Sequence, residues 1–69
     1  MTWHHSTTVG GARFLRRAGW RLVPVLDLWV IVAPSVKPVL VASLSQACAD
    51  AGIPVPEAAD VEWVRGVWS

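Results

Sequence analysis

Residues 27–44 read DLWVIVAPSVKPVLVASL, a nearly unbroken apolar run in the middle of a 69-residue chain. The run either crosses a membrane or forms the centre of a small folded domain, and the two readings lead to different proteins. A transmembrane helix needs ~20 consecutive, mostly apolar residues, because the hydrocarbon slab is ~30 Å thick. Here Asp27, Lys37 and Asp50 bound and divide the run into shorter uncharged pieces. A lysine near the bilayer centre costs ~2.5–3.5 kcal/mol, and Pro34 and Pro38 interrupt any continuous helical ladder. A span is therefore the least favoured reading, and membrane association is not expected. The leading MTWHHSTTVGG has no basic segment ahead of an apolar one, so no signal peptide is expected either. The expected location is the cytoplasm or, for a phage protein, the virion.

The run then divides at Pro34-Ser35. Leu28 to Ala33 is β-branched, aromatic and apolar at both parities, the pattern of a strand buried on both faces. Beyond it, Val36, Leu40, Leu44, Ala47, Cys48 and Ala51 recur at helical spacing. Ser35 could serve as N-cap, Pro38 falls in the first turn, and Gly52 followed by Pro54 closes the segment. These signals predict one long amphipathic helix over 36–51.

Upstream, ARFLRRAGWRLVPV (residues 12–25) fits a β-hairpin, with strands at Ala12–Arg16 and Trp20–Val25 around an Arg17-Ala18-Gly19 loop. A short helix ending at Gly19 is the alternative for residues 12–18, but so short a helix nucleates poorly. Pro24 cannot donate to a ladder, which predicts an edge strand or a bulge. Residues 1–8 are polar apart from Trp3 and read as a flexible N-terminal arm, leaving 9–69 as a single domain. In the tail, Pro56 and EAAD predict a helical turn at 57–60. VEWVRGVW then predicts a strand at 61–68, with Gly66 as a possible bulge. The expected fold is a small α+β domain: a hairpin or meander, one long helix packed on it, and a C-terminal strand.

So short a chain buries only ~60% of the surface that its unfolded form exposes. Cys48 is the lone cysteine, which excludes an internal disulfide, and no structural-zinc spacing occurs. Hydrophobic residues make up 54% and charged residues 16%, against averages of ~45–50% and ~25%. The excess argues against disorder and for apolar surface that a partner would cover. The chain has no tyrosine, no asparagine and one lysine, a bias that suits an actinobacterial or phage protein.

No catalytic constellation is visible. Both histidines lie at the N-terminus, no serine sits in a nucleophile elbow, and no glycine-rich loop has phosphate-binding spacing. An enzyme is not expected, nor is a metal or other cofactor. Two groups of residues remain as candidates. Tryptophan is abundant, five residues in all, and Trp3, Trp63 and Trp68 lie where exposure is expected. Exposed indoles beside arginine are the residue mix of interface hot spots. These features favour a non-enzymatic interaction or structural accessory protein, with a protein partner or a second copy of itself.

The second candidate group is Arg13, Arg16, Arg17 and Arg21 with Trp20 among them. In a nucleic-acid binder these would track a phosphate backbone and stack a base. An isoelectric point of about 8.0 is low for that class, which usually exceeds ~9. Asp50, Glu57, Asp60 and Glu62 balance the cluster from the last third of the chain.

Overall fold

A computed structural model of the protein describes residues 3–66. The protein is α+β, with a five-stranded antiparallel sheet and two short helices. The strands are β1 (His4–Thr7), β2 (Arg13–Arg17), β3 (Trp20–Val25), β4 (Leu28–Val32) and β5 (Val39–Val41). They lie in the sheet in chain order. Helices α1 (Leu44–Ala51) and α2 (Ala58–Arg65) follow.

The hairpin reading of residues 12–25 holds, with a tighter turn than expected. Arg17 pairs with Trp20, so the loop is Ala18-Gly19 alone. Both residues have positive φ, 46° and 87°, the backbone twist that suits a two-residue hairpin. Gly19 is also held by packing, since a Cβ there would lie 2.9 Å from Pro34 Cγ. The next hairpin turns at Leu26-Asp27, with Val25 opposite Leu28. Leu26 adopts φ 55° without a glycine's freedom. β3 is the middle strand, not the edge that Pro24 suggested. The β2 ladder ends at the Leu15–Leu22 pair, so the missing N–H of Pro24 falls where that side of β3 is unpaired.

Three expectations are corrected. The segment 36–51 is not one helix. Ser35 lies in the left-handed region, φ 60°, within the β4–β5 connection, and Val39–Val41 pairs with β4. The β-branched residues satisfy helical spacing and strand pairing equally well, and the open β4 edge decides between them. The helix begins eight residues later than expected, where Ser43 Oγ accepts from Gln46 N at 3.3 Å. It ends as foreseen at Gly52, whose N–H reaches the Ala49 carbonyl at 3.2 Å.

The second correction is the C-terminal strand. Residues 58–65 are helical, opened by Glu57 N donating to Asp60 Oδ2 at 3.2 Å. Gly66 follows in helical geometry rather than as a bulge. Burying Val64 against the sheet outweighs the strand propensity of VEWV. Third, residues 4–7 of the expected arm form β1, paired with β2 from His4–Arg16 to Thr7–Arg13.

The register defines the two faces of the sheet. His5, Leu15, Leu22, Ile31 and Val39 lie opposite one another in a row, and Pro24, Trp29 and Val41 form the next row on that side. Both helices cover this inner face. The core is Trp3, Leu15, Leu22, Trp29, Ile31, Cys48 and Val64, joined by half-buried Trp20, Val41, Leu44, Ala47, Ile53, Val61 and Trp63.

Candidate interaction surface

The residues of opposite parity make the outer face, and neither helix reaches it. Val23, Val30 and Leu40 form its central row. Phe14 faces outward beside Val23, since its neighbour Leu15 is paired with Leu22. Val32 lies toward one end, Val25 and Leu28 toward the other. None belongs to the core or packs against it, and Leu40 is 58% exposed. Strand β4 therefore carries residues suited to burial on both faces, with Trp29 and Ile31 buried on the inner one and Leu28, Val30 and Val32 half-buried on the outer one. The expectation of a strand buried on both faces thus holds for one face only.

Charge on this face is divided between its ends. His4, Arg16 and Arg21 stand directly opposite one another across β1, β2 and β3, about 4.8 Å apart per strand. Like charges opposed across a ladder repel. No hydrogen bond or ion pair engages these three side chains among the described residues. At the far end, Asp27 sits exposed in the β3–β4 turn, likewise without a polar partner among them.

The structure divides the predicted arginine cluster. Arg16 and Arg21 are on the outer face, whereas Arg13, Arg17 and Trp20 are on the inner one. Arg13 lies 4.8 Å from the Trp63 ring centre and donates to the Trp63 carbonyl at 2.8 Å. Arg17 is half-buried, and its Nε is buried without a hydrogen-bond partner. Trp20 packs against the core. A single strip that tracks a phosphate backbone is therefore not formed by these five residues.

The tryptophans also differ from expectation. Trp3 is 4% exposed and in the core, and its Nε1 donates to the Pro54 carbonyl at 2.9 Å. Trp63 is half-buried, stacked on His5 at 4.2 Å between ring centres. His5 Nε2 in turn meets Asp60 Oδ1 at 2.7 Å. His5, Arg13, Asp60 and Trp63 thus tie β1 and β2 to α2. Trp68 lies outside the described residues. At the other end of α2, Arg65 covers Trp29 at 4.6 Å and donates to the Leu26 and Leu28 carbonyls.

An open apolar groove of about 380 Å³ runs between the β5 end of the inner face and α1, lined by Trp20, Ile31, Val39, Val41 and Ala47. Among the described residues no group of three or more His, Cys, Asp or Glu side chains is placed to hold a metal ion. No described helix is long and apolar enough to cross a membrane.

Cys48 is fully buried on α1, and burial pushes its thiol pKa up. The folded chain holds the thiol proton more tightly than the unfolded one. This contribution to stability is full below the ordinary thiol pKa and is lost as pH rises through the raised value. In native protein at pH 8, labelling by a disulfide reagent is expected to be at least ~100-fold slower than in urea-unfolded protein, because the thiolate is the nucleophile and access is closed. Equal rates in the two states would remove Cys48 from the core.

Comparison with known protein families, with curated proteins and with solved structures finds no significant match.

Proposed function

We propose that this protein is a non-enzymatic interaction module, and that its working surface is the outer face of the sheet. The observation that carries the reading is an apolar row, half-buried Val23 and Val30 with exposed Leu40, that no helix packs on, with Phe14, Val32, Val25 and Leu28 around it. Contiguous apolar surface on a small protein marks an association site more often than a solvated one. A structural accessory role needs the same surface and no chemistry. This reading does not require Trp3 or Trp63, which have internal partners. Nucleic-acid binding through the arginines has less support: only Arg16 and Arg21 share a free face, and its floor is aliphatic apart from Phe14. Base stacking needs aromatic rings.

The test is Val30→Asp, which places a carboxylate at the centre of the face without touching the core. It is expected to remain folded but to lose ~1–2 kcal/mol, because Val30 is half-buried between β3 and β5 and aspartate is disfavoured in a strand. Its association, read by chemical cross-linking of full-length protein in cell extract and in purified form, is expected to be lost. If wild type forms no cross-linked species in either setting, the outer face is not a docking surface.

A further inference from the structure

We infer that the occupant of the outer face is a second copy of this chain, stacked face to face with its strand ends exchanged. The inference rests on the reading of that face as a docking surface and adds which partner it takes. A two-fold contact must be self-complementary, because the same patch serves on both sides. Arg16 and Arg21 at one end of this face and Asp27, exposed in the turn at the other, meet that condition. The Arg65 guanidinium at the same turn is engaged over inner-face Trp29. The central row Val23–Val30–Leu40 has the Arg16–Arg21–Val32 row two residues away on one side and the Val25–Leu28 row two residues away on the other. A two-fold axis lying along the central row, perpendicular to the strands, superposes these flanking rows. It lays Arg21 of one copy over Val25 and Leu28 of the other, next to Asp27 in the adjoining turn. The aliphatic centres then meet each other at the ~10 Å spacing of packed sheets.

The alternative axis, parallel to the strands, would bring both cation rows together and is disfavoured by repulsion. Within one chain Arg16 and Arg21 already stand opposed, so a carboxylate arriving from the partner relieves a repulsion that the monomer cannot. In plan the face measures about 24 by 17 Å from strand spacing and rise, or about 400 Å² per copy. At about 800 Å² in total this lies below the ~1,000 Å² of a stable interface and in the range of transient contacts. The dimer should therefore dissociate on dilution in the micromolar range.

The experiment is sedimentation equilibrium on the full chain and four samples of variants at low salt. Wild type should show a monomer–dimer equilibrium that weakens as salt rises. Val30→Glu should weaken it by about 100-fold or more, since a carboxylate would be buried unpaired. Arg21→Asp and Asp27→Arg alone should each weaken it by about tenfold or more through like-charge apposition. Mixed in equal amounts, these two single variants should form a heterodimer near wild-type affinity, because both charge contacts are then complementary.

A wild-type chain that stays monomeric at several hundred micromolar overturns the inference. So does failure of the two single variants to rescue each other. If the wild-type chain is monomeric yet Val30→Asp abolishes cross-linking to a different protein, the docking face stands and only self-association falls. If wild type dimerises and Val30→Glu dimerises equally well, the face itself is wrong. Assembly that requires an added single-stranded oligothymidine 20-mer would overturn self-association in favour of a nucleic-acid ligand.

Discussion

Trp3→Ala is expected to leave the protein largely unfolded at 25 °C. Removing a buried tryptophan costs ~3–5 kcal/mol, and a single core in a chain of this size rarely supplies more than ~3–5 kcal/mol in total. Two effects add at this site. The indole is 4% exposed among Leu15, Leu22 and the other core residues, so its loss opens a cavity. It also leaves the Pro54 carbonyl without its donor. Trp3→Phe separates them, retaining most of the volume while losing the hydrogen bond, and should cost ~1–2 kcal/mol. Urea unfolding followed by circular dichroism measures both. A Trp3→Ala protein within ~1 kcal/mol of wild type would mean that the indole is not part of the core.

Leu22→Ala is expected to cost ~2–5 kcal/mol, and Val23→Ala, one residue along, less than ~1 kcal/mol. Leu22 is fully buried between Leu15 and Ile31 in the central inner row. Val23 is half-buried on the opposite face, paired with Val30. The contrast tests the parity of β3, because a one-residue slip would exchange the two faces. Measurements should be made at low protein concentration, below the range where outer-face association would add to Val23. Reversed magnitudes would invert the sheet and remove the basis for the docking face.

The meander was legible where the chain states its own turns. Ala18-Gly19 and the alternation around it specify the hairpin, and Pro34 ends β4. The helix boundary is not legible from spacing, because Val36 and Leu40 satisfy a four-residue period that strand residues in an apolar run also satisfy. A better signal was present: Ser43 with Gln46 three residues on is a capping pattern, and the structure uses Ser43 as the cap. At the C-terminus, Glu57 and Asp60 announce the helix start, but VEWV scores as strand by residue type alone. Only its seat against the sheet, through Val64 and Val61, makes it helical.

The candidate surface was half legible. An apolar excess was evident, but its location was not. Tryptophan drew attention to Trp3 and Trp63, which are internal, whereas the free face is made of valine and leucine. Deciding which parity of β4 is covered depends on where the helices pack, which strand periodicity does not encode. Likewise, Arg16 and Arg17 look equivalent in sequence, yet adjacent strand residues point to opposite faces.

The chain-order sheet also bears on how the protein is made. Each strand pairs only with its sequence neighbours, so its ladder involves short loops and local closures, the topology that folds fastest. The ties that hold β1 and β2 under the helices are different: Trp3 to Pro54, His5 to Asp60 and Arg13 to Trp63 bridge separations of 51, 55 and 50 residues. During synthesis, all five strands leave the ribosome before α2 does. Helix α1 follows the strands and covers part of the inner side, and the rest is sealed only when α2 arrives. The interval before those long-range ties form is when the sheet stands open to misassociation.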